Sequence, residues 1–322
     1  MDKYTLKLRQ SMPLKDKIRF TQRRVNEWID HFGVNGCYVS FSGGKDSTVL
    51  LHLIREMYPN IEAVFVDTGL EYPEIRKFVK TFDNVTILRP KMRFDKVIEE
   101  YGYPIVSKEV SEAIFNARKY LQDNTKYKYH YEKINGIGRY AGDRLQFSCK
   151  KWKFLLDAPF KISNRCCFVM KKSVGHNFYK KTGKTPFLGT MAEESDLRTT
   201  QYIRNGCNGF NLKIPTSTPI AFWTEQDVLQ YMYENKLPIA SVYGEVIKGN
   251  KYYTTGCQRT GCMFCGFGCH LEKYSNRFQR LAETHPRQYD YIINELGMGK
   301  VLDYIGVEYR PYIEKGQMKL AI

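Results

Sequence analysis

The chain has 322 residues, enough to bury a substantial core in one large domain with an appended lobe or in two domains. Aromatic residues make up 14% of it, which excludes a disordered chain, and no apolar run reaches the length of a membrane span. A net charge of +16 points to polyanionic partners, and the polar N-terminus gives the expectation of a cytoplasmic protein whose nine cysteines serve as thiols or metal ligands rather than as disulfides.

Residues 14–32 carry apolar side chains at helical spacing (Leu14, Ile18, Val25, Trp28, Ile29, Phe32) and predict a helix packed on the next elements of the chain. Strands are expected at Tyr38–Ser42, Ala63–Val66 and Val85–Leu88, separated by helices over 46–58 and 73–81. Such alternation implies a parallel sheet covered on both faces, with ligands at the carboxyl ends of its strands. Further helices are expected over 94–101, 107–121, 149–157 and 166–181, around a polar stretch from Gln122 to Arg144 that is dense in Lys, Arg and Tyr. A fourth strand is expected at Pro186–Thr190, and Thr224 with Asp227 three residues on forms a capping-box start to another helix. From Gly256 the composition shifts to Cys and Gly, with a closing helix from about Arg277 to Leu296. The fold class expected is therefore α/β, a doubly wound and mainly parallel sheet. Its parts are an N-terminal helical segment (1–34), a nucleotide-binding domain (35–255) with a basic, tyrosine-rich insertion at about 118–144, and a cysteine-rich, largely helical lobe (256–322).

The sharpest signal lies after the first strand, where the chain reads Ser40-Phe41-Ser42-Gly43-Gly44-Lys45-Asp46-Ser47-Thr48. A strand that breaks at paired glycines and restarts as a helix leaves a nest of backbone N–H groups at the positive helix end, beside serine hydroxyls. That is a phosphate cradle, and it lacks the spacing of a Walker loop. At the second strand end, Asp67-Thr68-Gly69-Leu70-Glu71 can offer a carboxylate and a turn to a nucleotide, or can simply cap the next helix. Cys257, Cys262, Cys265 and Cys269 form a C-x4-C-x2-C-x3-C run among glycines, a spacing able to wrap one metal or cluster. Cys37 reads as packing in the first strand, and Cys149 and Cys207 are left without a role. Lys126 to Lys133 interleaves cations with aromatic rings, a combination that tracks a phosphate backbone and stacks on bases, or that forms a solvated surface.

The loop resembles the S-G-G-x-D-S pyrophosphate loop of ATP pyrophosphatases and of phosphoadenylylsulfate (PAPS) reductases, within the adenine nucleotide alpha-hydrolase-like fold. Val66 to Glu74 resembles the second-strand segment of PAPS reductases. Leu188-Gly189-Thr190-Met191-Ala192-Glu193-Glu194-Ser195-Asp196-Leu197-Arg198 is similar to that family's G-x-R-x-x-E-S-x-x-R segment, with Met191 where an arginine is usual, and Pro219, Trp223, Asp227 and Val228 resemble its late helix start. The pair Cys166-Cys167, joined much later by Cys262 and Cys265, resembles the four [4Fe-4S] ligands of the adenylylsulfate (APS) reductase branch.

The resemblance implies that Ser40, Ser42, Gly43, Gly44, Lys45, Asp46 and Ser47 hold the phosphates of ATP or PAPS. Ser42, Lys45 and Asp46 would be catalytic, with Asp46 orienting the loop or a Mg²⁺ ion, and Asp67, Thr68, Gly69, Glu194 and Arg198 would complete the nucleotide site. It further implies an iron-sulfur cluster, with zinc as the rival metal, on Cys166, Cys262 and Cys265 plus one of Cys167, Cys257 or Cys269. The reductase branch carries a nucleophilic cysteine near its C-terminus, whereas no cysteine comes after Cys269 here. The expectation is therefore ATP-dependent sulfur transfer to DNA or tRNA, as in the DNA phosphorothioation sulfurtransferase or the tRNA thiolases, with a sulfur donor as partner. The alternatives are a PAPS/APS reductase working with a thioredoxin-like reductant, and a nucleotide-binding regulator without turnover.

Overall fold

The computed structural model describes residues 2–273 and 275–311, so residues 312–322 of the expected cysteine-rich lobe lie outside the described residues. In chain order the elements begin with α1 (Lys3–Gln10), α2 (Leu14–Phe32), β1 (Cys37–Ser40), α3 (Lys45–Met57), β2 (Glu62–Val66), α4 (Pro73–Val79) and β3 (Val85–Leu88). Then come α5 (Phe94–Tyr101), β4 (Ile105–Val106), α6 (Lys108–Gln122), α7 (Lys128–Asn135), α8 (Arg165–Cys167) and α9 (Ser173–Thr182). Next are β5 (Thr185–Leu188), α10 (Asp196–Asn205), β6 (Asn208–Gly209), β7 (Thr216–Ser217) and α11 (Glu225–Glu234). The chain continues through β8 (Val246–Lys248), β9 (Tyr252–Thr254), β10 (Gly266–Phe267), α12 (Arg277–Thr284), α13 (Pro286–Asp290) and α14 (Met298–Tyr304). Two compact units result: residues up to Pro90 together with Ser173–Gly261, and Lys91–Lys172 together with the residues from Cys262 on. The tyrosine-rich stretch expected as an insertion of the nucleotide-binding domain thus belongs to the same unit as most of the cysteine-rich segment, because β4 pairs with β10.

The first unit is built on a six-stranded sheet of order β3-β2-β1-β5-β7-β6, parallel except for the β6–β7 pair. Helix α2 turns Val25, Trp28 and Ile29 inward, and the Trp28 indole N–H donates to Thr185 Oγ1 at 3.1 Å, tying the helix to β5. Helix α3 buries Leu50, Leu51, Leu53 and Ile54 against Val39 of β1 and Phe187 of β5. Thr224 and Asp227 form the expected capping box, and Asp227 also receives Lys17 Nζ at 2.6 Å, a buried ion pair between α2 and α11. The order reverses between β2-β1 and β1-β5, which opens a crevice beyond the carboxyl ends of β1 and β5.

The second unit has less regular structure. Helix α6, capped by the Ser107 hydroxyl, buries Val110, Ala113, Ile114 and Ala117. The helix expected over 149–157 is a 3₁₀ run broken at Trp152, and the Arg118 guanidinium takes the carbonyls at and beyond its end, those of Leu155, Leu156, Ala158 and Phe160. The stretch expected as a polar segment contains α7, and the helix expected over 166–181 is divided by a π turn at 168–172, directly after the cysteine pair. The closing helix expected up to Leu296 is likewise broken, by Pro286 and a π turn over 291–295. Among the described residues no helix is long and apolar enough to cross a membrane.

Candidate functional site

The loop between β1 and α3 is held by its own side chains. The Ser42 amide donates to Ser47 Oγ at 3.2 Å, the Gly44 amide donates to Ser42 Oγ at 3.3 Å, and the Ser47 and Thr48 hydroxyls return to the Gly44 carbonyl at 3.0 and 2.9 Å. Gly43 sits at φ +70°, and a Cβ there would lie 2.8 Å from Val79 Cγ2 and 2.9 Å from Ile75 Cγ2, so the position admits only glycine. Gly44 differs. As N-cap of α3 it has φ −81°, and its Cβ would meet Ser42 Oγ and the Tyr243 hydroxyl at 3.3 and 3.4 Å, so close approach and not a left-handed backbone favours glycine. Ser40 ends β1 just before the loop.

Carboxylates surround the start of α3. Asp46 is raised to about 6, by burial first and by Glu194 next, with Lys45 opposing and Glu225 adding to the rise. Lys45 Nζ reaches Glu225 at 2.9 Å and lies 5.7 Å above the Tyr243 ring. Glu193 accepts the Glu225 amide, and its pKa is raised by burial despite that bond. A Cβ on Gly189, just after β5, would stand 3.1 Å from the Asp46 carbonyl, so this glycine lets the fourth strand end against the loop. Glu194 accepts the Met191 amide at 2.9 Å and pairs with Arg198, while Met191 itself is buried. Glu194 and Arg198 therefore stand beside the site as a capped pair.

At the end of β2, Asp67 accepts from Arg76 at 3.0 Å and from the Gly69 amide at 3.2 Å, with Arg89 at 3.8 Å. Thr68 donates both its amide and its hydroxyl to Glu71. The segment is a self-bonded turn with Gly69 at φ +76°. It brings two partly exposed arginines, 76 and 89, to the same sheet edge, and sequence reasoning missed both. Tyr243 was missed too. Its hydroxyl bonds Thr260, and burial pushes it up to about 12. Only the long-range path of the chain after α11 brings it there, so no local pattern could have flagged it.

The second unit gathers thiols. Cys166 Sγ donates to Cys167 Sγ at 3.9 Å, which raises the Cys166 thiol and draws Cys167 down to about 6, with Lys108, Lys171 and Lys172 helping. Cys262 and Cys265 stand near enough to raise Cys166 further. They share a tight turn in which the Cys265 amide bonds the Cys262 carbonyl at 3.1 Å, and the Cys265 carbonyl accepts Arg277 at 2.9 Å. Cys269 is buried and pushed up to about 12 by that burial. Cys257 belongs to the sheet unit, its amide on the Val242 carbonyl at 2.9 Å. Among the described residues no three His, Cys, Asp or Glu side chains converge on a single-ion site. Cys166, Cys167, Cys262 and Cys265 lie in the same unit, and thiolates are the soft ligand type that an iron-sulfur cluster takes. Elsewhere Cys37 and Cys207 are buried in the sheet unit and raised by it to about 11 and about 12, and Cys149 is also raised by burial, which leaves all three poor nucleophiles at neutral pH.

The sequence profile of the phosphoadenosine phosphosulfate reductase domain matches residues 36–141 and 115–266, spanning both the loop and the cysteine pair. The chain belongs to this family. An adenosine 5′-phosphosulfate reductase of Geobacillus kaustophilus is 26% identical over 219 residues, covering 67% of this chain and 68% of that protein. An uncharacterized protein of Methanocaldococcus jannaschii is 25% identical over 262 residues, which cover 80% of this chain but only 46% of its relative, so the chain spans about half the length of that protein. A crystal structure of phosphoadenylyl-sulfate (PAPS) reductase from Candida auris, in a phosphate complex, superposes over 75% of this chain and 98% of its own, at 13% identity and a TM-score of 0.37.

Proposed function

We propose that this member of the PAPS reductase family binds an adenylated sulfur compound with its phosphates on residues 42–47 and supports thiol-dependent reduction of the sulfonyl group. The observation that carries the reading is the loop itself: amides at the start of α3, the Ser42 and Ser47 hydroxyls and Lys45 meet at the switch point of a parallel sheet. Arg76 and Arg89, at the neighbouring strand end, add positive charge for a sulfate or a second phosphate. In the reaction a thiolate of a dithiol reductant such as dithiothreitol or thioredoxin attacks sulfur, the bond from sulfur to the bridging phosphate oxygen breaks, and AMP (from APS) or adenosine 3′,5′-bisphosphate (from PAPS) leaves with that electron pair. A second thiol then releases sulfite and closes a disulfide. An iron-sulfur cluster on Cys166, Cys167, Cys262 and Cys265 would supply positive charge and low-potential electrons when bound. The residues that hold it also fix the turn from Cys262 to Cys265.

One observation favours a second reading, ATP-dependent sulfur transfer. Asp46, Glu193, Glu194 and Glu225 offer hard oxygen donors around the loop, the ligand type for a Mg²⁺ that bridges pyrophosphate oxygens. Asp46, held near pH 6, would be kept ionised by such an ion. The test is anaerobic turnover with APS or PAPS plus dithiothreitol or thioredoxin, against turnover with Mg·ATP. Sulfite with AMP from APS, or sulfite with adenosine 3′,5′-bisphosphate from PAPS, supports reduction. AMP and pyrophosphate from ATP with no sulfite from either sulfur nucleotide would replace it with sulfur transfer, and binding without any product would leave the regulator.

A further inference from the structure

The positive charge of this protein is unevenly placed. Between residues 118 and 154 ten Lys or Arg face three Asp or Glu, a net +7 within a chain whose total is +16. The same stretch exposes rings that a folded surface ordinarily covers: Tyr127 and Tyr129 are 41% and 40% exposed, and Phe147 is 64% exposed. We propose that this face of the second unit binds single-stranded nucleic acid.

Cations and rings alternate in space as they do in sequence. Lys119 Nζ lies 5.8 Å from the Tyr127 ring centre, and the Arg139 guanidinium lies 4.9 Å from that of Tyr129, which in turn meets Tyr140 edge-on at 5.5 Å. A cation lies over the ring of each exposed tyrosine, Lys119 over Tyr127 and both Lys133 and Arg139 over Tyr129, which places positive charge for a phosphate beside rings that remain about 40% exposed for base contacts. The surface is also preorganised. Arg118 pins the run over 155–160 through four carbonyls, Asn116 bonds His130 at 3.2 Å between α6 and α7, and the Cys149 amide bonds the Lys133 carbonyl at 2.9 Å. Tyr127 caps α7 at φ +69°, a conformation that a bulky side chain seldom adopts and that the surrounding packing must impose.

A patch that served only solubility would need the charges but not the exposed rings, and one that docked an acidic protein would show no preference for unpaired bases. Duplex DNA offers its phosphates but hides its π faces. The chemistry that uses both features is an unpaired strand, DNA or RNA. This inference does not depend on the reaction at residues 42–47, and it is tested without any mononucleotide present.

Fluorescence anisotropy of the full chain with a labelled 20-mer of oligo-dT, the matching oligo-U, a duplex of the same length and polyglutamate provides the test. Binding of the single strands is expected to exceed that of the duplex and of polyglutamate by at least tenfold, the two arms separating DNA from RNA as the natural ligand. Affinity should fall steeply between 50 and 200 mM salt. Tyr129→Ala should weaken oligo-dT about tenfold with the salt slope unchanged, whereas Lys126→Gln should lower the slope by about one unit. Tyr253→Ala, which removes an exposed ring of the other unit, should change neither. Thermal midpoints equal to that of the parent protein establish that the variants fold. Equal affinity for duplex or polyglutamate, no binding at 50 mM salt, or an unchanged oligo-dT affinity in folded Tyr129→Ala would each overturn the proposal.

Discussion

The two units build chemistry in opposite ways. In the sheet unit the decisive groups are neighbours in sequence, Ser42 to Ser47, and the fold presents them at the edge of a regular parallel sheet. In the other unit Cys166 and Cys262 are separated by the whole return of the chain through Ser173–Gly261, and only that excursion puts them in one unit. A site made of one loop depends on backbone shape. A site made of distant thiols depends on side-chain convergence and tolerates irregular backbone around it, as the π turn after Cys167 and the 3₁₀ run over 150–157 illustrate.

If that contrast holds, the sheet unit should be most sensitive to added atoms and the cysteine unit to removed sulfur. The largest effect is expected from Gly43→Val, which forces a Cβ to within 3 Å of Val79 and Ile75 at a left-handed backbone position. Isothermal titration should find affinity for ATP or PAPS lowered by more than about a hundredfold. Gly44→Ala, one residue on, should cost only a few-fold, because its contacts at 3.3 and 3.4 Å are with movable side chains. Comparable losses in the two variants would break the backbone argument.

Next in size is the loss of metal from the cysteine unit. After anaerobic reconstitution, Cys166→Ser and Cys262→Ser should each lose most of the iron, sulfide and visible absorption, while Cys257→Ser, in the sheet unit, should keep them. Iron lost equally from Cys257→Ser would move the ligand set to the 257–269 run. One tightly bound zinc and no iron in the parent protein would remove the cluster.

A smaller effect concerns pH. Because the folded protein holds Asp46 at about 6, above its ordinary value of 3.8, the folded state binds the extra proton between those values. Stability should therefore fall as pH rises through that window, with the cost complete above about pH 6. Asp46→Asn mimics the protonated form, so urea unfolding should find it more stable than the parent by up to about 3 kcal/mol at pH 7.5, by about 1 kcal/mol at pH 4.5 and nearly equal at about pH 3. A constant difference at all three values would mean that burial of this carboxyl has been overstated.

The smallest change is Tyr243→Phe. It removes the hydroxyl that bonds Thr260 while leaving the ring under Lys45, and nucleotide affinity should drop about threefold with no change in iron content. An effect on iron would contradict the independence of the two sites.

The sequence alone determined the sheet and its loop, for a physical reason: strand and helix alternation, paired glycines and a capping box are local patterns whose energetics lie within a few residues of each other. Helix α2 over Leu14–Phe32 and α5 over Phe94–Tyr101 match the expected bounds, and Thr224 caps with Asp227 as the pattern required. The order of the strands is set by no such pattern. Nor is the placement of Tyr243 and of the arginines at 76 and 89. The helix expected over 149–157 is a broken 3₁₀ run, and Arg118, from more than thirty residues away, holds the carbonyls at its end. Tertiary structure decides such matters because a side chain that satisfies distant backbone groups overrides the local preference of the segment that it reaches.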